Sequence, residues 1–189
     1  MGFQVLKLIM PLDQALISCI QTLTETTRVM QSLSTTSGEA EAATVRYWIT
    51  ASQYSLLSVE YHDPFHEICR LALLIFSDIF INEDIGRIPI YDQLVTNFWR
   101  HVSSDPGRFS AIPSEFNFWV LFLANLATTS RDLAECCGQA LAEVASAMKI
   151  FTWEDAKSVL ESFLWCSTFE ENRFKALWCD MRASQATIC

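Results

Sequence analysis

The stretch DPFHEICRLALLIFSDIFIN, residues 63–82, decides the fold. Wound as a helix it is apolar on nearly every side, through Phe65, Ile68, Cys69, Leu71, Ala72, Leu73, Leu74, Ile75, Phe76, Ile79 and Phe80. A helix without a wet face has to be wrapped by other elements. Asp63 is placed to accept hydrogen bonds from the free N–H groups of the first turn, and Pro64 stands where a missing N–H costs nothing. Arg70 and Asp78 bound the uninterrupted apolar run from Leu71 to Phe76, which falls far short of the roughly 18 to 20 residues that a bilayer requires. The stretch therefore predicts the central helix of an all-α domain and not a membrane span.

Working outward, a second strongly apolar segment opens at Ser114 and Glu115 and carries Phe116, Phe118, Trp119, Val120, Leu121, Phe122, Leu123, Ala124, Leu126 and Ala127. The two segments are expected to pack on each other, with amphipathic helices around them. Spacings of three and four predict such helices from Pro11 to about Leu33, from Glu39 to about Glu60, and from Ile90 to Val102. Ser130 is the expected cap of a helix carrying Leu133, Cys137, Leu141 and Val144, and Gly138 there would let a neighbouring backbone come close. Thr152 with Asp155 makes a capping box for the next helix, and a last one carries Phe174, Leu177, Trp178 and Met181. Residues 3–10 read as a short frayed helix or a strand. The stretches Ser32–Gly38, 82–89 and Ser103–Pro113 read as loops. The expectation is a single all-α domain over residues 1–189, with about eight helices around two very hydrophobic ones.

Two aromatic features bear on partners. Tyr47, Tyr54 and Tyr61 recur every seven residues and are expected to flank the core, the alternative being a surface for a partner. Trp165 falls among the polar residues of its helix and needs a cover, either the returning carboxy-terminal helix, which is the expectation, or a partner.

Composition narrows the function classes. The chain has 189 residues, 13 basic against 22 acidic, and a formal charge of −9. That balance disfavours a general nucleic-acid-binding surface, and no basic run of four or more residues is present. A 51% hydrophobic fraction and a mean hydropathy of +0.21 suit long helices and leave apolar surface for a partner. The seven cysteines form no C-x2-C motif and no disulfide framework, which favours a reducing compartment.

The usual catalytic constellations are missing from the pattern. His62 and His66, four apart with Asp63 and Glu67 nearby, could share a helical turn as metal ligands, yet spacing implies no third ligand, so exposed first-turn residues are expected. Cys136 and Cys137 point about 100° apart on a helix and cannot share a metal. His101 has no nucleophile tied to it by sequence, and five scattered glycines supply no phosphate loop. Arg70 is expected to pair with an acid at the rim of its helix, the alternative being an anion contact in a cavity.

The last third of the chain, FNFWVLFLANLATTSRDLAECCGQALAEVASAMKIFTWEDAKSVLESFLWCSTFEENRFKALWCDM, resembles the fungal-specific transcription factor domain, which in many fungal regulators follows a binuclear zinc cluster. Three signatures carry the likeness: the apolar helix with Trp119 near its start, the stretch FTWEDAKSVLESFLW at residues 151–165, and ALWCDM at 176–181. Upstream, HDPFHEICRLALLIFSDIF at 62–80 is similar to a further family helix, so the resemblance spans about residues 60–182. Two departures stand out. Ala124 and Asn125 occupy places where the family often has glycines, and no C-x2-C-x6-C segment with interleaved basic residues is found. The resemblance implies a nuclear, non-enzymatic regulatory domain without cofactors and without DNA contact of its own. Its expected partners are a protein, a second copy of the chain, or a small-molecule effector. Arg70, Trp119 and Trp165 are the candidate contact residues. The alternatives are a helical protein, ligand-binding or catalytic, that encloses an apolar molecule between the two hydrophobic helices, and a homodimerisation module.

Overall fold

The described residues of the computed structural model are 2–32, 39–81, 89–166 and 171–186. Among them the chain is all-α and contains no strand. Its helices are α1 (Gly2–Ile9), α2 (Gln14–Ser32), α3 (Glu39–Leu57), α4 (Pro64–Ile81), α5 (Pro89–Ser104), α6 (Pro106–Ser110), α7 (Ser114–Ala127), α8 (Arg131–Ala147), α9 (Trp153–Ser162) and α10 (Glu171–Ala186). That is ten helices where about eight are expected from sequence. The loops read at Ser32–Gly38 and 82–89 lie almost wholly outside the described residues.

Residues 2–9 are helical, and of the two readings left open for the amino-terminal stretch the helix is the one found. The signals at the start of α4 act as the sequence suggests, with the Asp63 carboxylate accepting from the N–H groups of Phe65 at 3.0 Å and His66 at 3.1 Å. The most enclosed element, however, is α7. All twelve residues from Phe116 to Ala127 are buried, because α1, α4, α5, α8 and α9 surround it. The two apolar helices pack on each other, as Phe65 against Phe116 at 5.8 Å and Phe76 against Trp119 at 6.4 Å between ring centroids. Buried side chains from Phe3 to Trp178 form one cluster.

Helix α8 lies close on α7. A Cβ at Gly138 would come within 3.0 Å of Asn125 Nδ2, which itself donates to the Ala134 carbonyl at 3.0 Å. On the other flank, Asp92 of α5 accepts from the Thr128 hydroxyl and Thr129 N–H, both at 2.7 Å, and from Ser130 N–H at 3.2 Å. The Thr129 hydroxyl also bonds Asp92. These bonds fix the turn between α7 and α8.

Three expectations need correction. The Ser103–Pro113 loop contains α6, whose Asp105 caps the Arg108 N–H at 2.9 Å and whose Arg108 pairs with Asp63. Helix α9 stops at Ser162, so Trp165 does not sit on the wet side of a helix. Tyr47 and Tyr54 are 70% and 71% exposed and do not flank the core. The reason lies in how α3 leans. Val45, Ile49, Ser52 and Leu56 face α2 and α4, which sends residues two positions further round to the solvent side. Trp48 is half-exposed at the edge of that stripe, while Tyr61 lies beyond the helix and donates to Asp13 at 2.8 Å.

Candidate functional site

Arg70 is spent within the fold. Its Nε and Nη2 donate to the two Glu67 oxygens at 2.7 and 2.5 Å, and its Nη1 donates to the Leu56 carbonyl at 3.1 Å. The side chains of Arg70 and Glu67 are only 13% and 9% exposed, so this is an enclosed, fork-matched pair that ties α4 to the last turn of α3. The bonds to Glu67 raise the guanidinium pKa further still. The pairing expected from the sequence is the arrangement found.

Trp119 is wholly buried, and its indole N–H donates to the Leu164 carbonyl at 3.0 Å. Trp165 is buried too, edge-on to Phe174 of α10 at 4.9 Å, to Phe122 at 6.0 Å and to Trp153 at 6.2 Å. The returning carboxy-terminal helix is thus its cover. Its indole N–H is enclosed without a hydrogen-bond partner, as is Asn117 Oδ1. The three candidate contact residues are not brought together: Arg70 lies between α3 and α4, while Trp119 and Trp165 sit in the core beneath α9.

The structure instead offers two surfaces, one that sequence reasoning did not reach and one that it held as the alternative reading of the tyrosine row. One is a groove of about 540 Å3 between α2 and the end of α9, lined by Thr24, Thr27, Arg28, Gln31, Glu161, Phe163, Leu164 and Trp165. Gln31 spans it, donating to the Trp165 carbonyl at 3.2 Å. Neither Arg70 nor a histidine lines it. No sequence signal links the two sides, because that bond joins residues 134 positions apart. The second surface is the outer side of α3, with exposed Tyr47, Tyr54 and Leu57 and half-exposed Trp48. Between Arg46 and Glu60 it carries no charged side chain. The seven-residue tyrosine spacing was the available signal for it.

Several titratable side chains are engaged by the fold. His66 Nε2 lies 2.9 Å from the Pro11 carbonyl oxygen, and its Nδ1 stands 3.4 Å from Asp63. Burial pushes the Cys137 thiol up to about 12 and that of Cys69 well above its ordinary value, which keeps both protonated at neutral pH. Among the described residues no group of three or more His, Cys, Asp or Glu is placed to hold a metal, and no helix is long and apolar enough to cross a membrane.

No known family, curated protein or solved structure matches the chain.

Proposed function

We propose that the chain is a non-enzymatic regulatory domain of the fungal-specific transcription factor type, acting in the nucleus through contacts and without binding DNA itself. The observation that carries this reading is the way the resembling stretches meet. Trp119 of the first donates to Leu164 of the second at 3.0 Å, Trp178 of the third lies edge-on to Phe118 at 5.9 Å, and Phe76 of the upstream helix lies 6.4 Å from Trp119. Motifs that share one packed unit are what a single inherited module would contain. The uncharged aromatic side of α3 stands outside that unit and suits a protein partner or a second copy of the chain. A net charge of −9 agrees with the lack of a DNA-contacting role.

The test is to tether the chain to an unrelated DNA-binding module in a fungal reporter strain. A change in reporter output relative to the module alone supports the reading, whereas tight binding of the purified chain to duplex DNA at physiological salt contradicts it. A second reading, control by a small-molecule effector, is favoured by one observation, the groove beside α2.

A further inference from the structure

The groove between α2 and the end of α9 has a chemical bias that its residue types alone do not reveal. Its volume of about 540 Å3 lies within the roughly 300 to 1,000 Å3 of sites that hold small organic molecules. Thr24 and Thr27 give their hydroxyl hydrogens to the carbonyls of Ile20 and Leu23, at 2.6 and 2.7 Å, and Gln31 gives an amide N–H to Trp165. What the two threonines still offer a ligand is oxygen lone pairs. The ionic groups are just as uneven. Arg28 gives one N–H to Glu25 at 2.6 Å. Among the described residues Glu161 has only Lys157, at 4.0 Å, and that lysine also pairs with Glu171 at 2.9 Å. The groove therefore gathers acceptors around an under-partnered carboxylate, in a chain whose net charge of −9 draws cations towards it. Phe163 and Leu164 add apolar surface to the same lining.

We infer that this groove binds a small amphipathic organic cation, a protonated amine on an aryl or alkyl body. The ammonium group sits against Glu161 and the threonine oxygens, and the body lies on Phe163 and Leu164. An anionic ligand could meet a further N–H of Arg28 but would also have to approach Glu161. The inference stands on the groove and not on the regulatory reading, since it is measured on the purified chain with no reporter.

Phenethylamine serves as the probe, titrated into the isotope-labelled full chain at neutral pH while amide NMR spectra are recorded. Hydrocinnamate, the same body ending in a carboxylate, is titrated in parallel. The expected result is saturable shifts grouped at Thr24, Thr27, Gln31 and Phe163 to Trp165 with the amine. Glu161→Gln then weakens its Kd roughly tenfold, as loss of a charged hydrogen-bond partner does. Glu161 is exposed, and the dispersion of the variant's own spectrum verifies its fold. The inference is overturned by any of three results: no saturable shift up to about 10 mM amine, equal binding of hydrocinnamate, or undiminished binding to Glu161→Gln.

Discussion

The indole N–H of Trp119 donates to the backbone carbonyl of Leu164 at 3.0 Å, joining residues 45 positions apart inside the core. The bond fixes the chain where it leaves α9 and turns inward. Trp119→Phe keeps an aromatic ring but strands that carbonyl and leaves a small void. The expected loss is about 2 to 4 kcal/mol, read from the midpoint of urea unfolding.

Trp165 supplies the contrast. Its indole N–H is buried without an acceptor, so Trp165→Phe gives up volume but also removes an unsatisfied donor. The same urea experiment is expected to show a smaller loss for Trp165→Phe than for Trp119→Phe. An equal or larger loss would mean that the Trp165 N–H is satisfied in solution.

The helices were legible where a local pattern sufficed, as in the apolar runs of α4 and α7 and the capping box at Thr152 and Asp155. Helix α6 was not, because Pro106 and Gly107 read as turn residues, although Pro106 after the capping Asp105 is also a helix start. The end of α9 was illegible for a different reason. Phe163 continues the apolar spacing of α9, yet its packing on Phe3 at 5.2 Å, with that of Trp165 on Phe174 at 4.9 Å, draws the chain out of the helix. Of the candidate site, the tyrosine spacing was visible but its direction was not. That direction depends on which side of α3 meets α2 and α4. The groove joins α2 to residues that only tertiary packing brings near.

Asp92 makes acid stability a readout of the α7–α8 turn. Burial alone would raise its pKa, but hydrogen bonds from Thr129, Thr128 and the N–H of Ser130 outweigh this and hold it at about 2, against 3.8 for an ordinary aspartate. Because the folded value is the lower one, the stabilisation is complete above the ordinary value and drains away as pH falls through it towards 2. Asp92→Asn should flatten the fall in melting temperature across that acid range. A parallel fall in both proteins would remove Asp92 as its cause.

The Arg70 and Glu67 pair should behave as a buried unit. Arg70→Met leaves the Glu67 carboxylate enclosed without its partner, at an expected cost of about 3 to 5 kcal/mol. Adding Glu67→Leu should recover most of that loss, and urea unfolding of the two singles and the double measures the coupling. No recovery in the double variant would show that the Leu56 carbonyl contact, and not the pair, is what matters.

The exposed side of α3 separates contact from stability. Tyr47 and Tyr54 are largely solvent-facing, so Tyr47→Ser with Tyr54→Ser should move stability by no more than about 0.5 kcal/mol per site, measured by urea unfolding. A collapse of the fold would place these rings in a packed environment.

The most direct measurement of the central claim compares reporter output from the tethered chain, its double tyrosine variant and the bare DNA-binding module at matched protein abundance. A domain that works through contacts gives an output distinct from the bare module, and the variant moves that output back towards it. Identical output from all three would contradict the account.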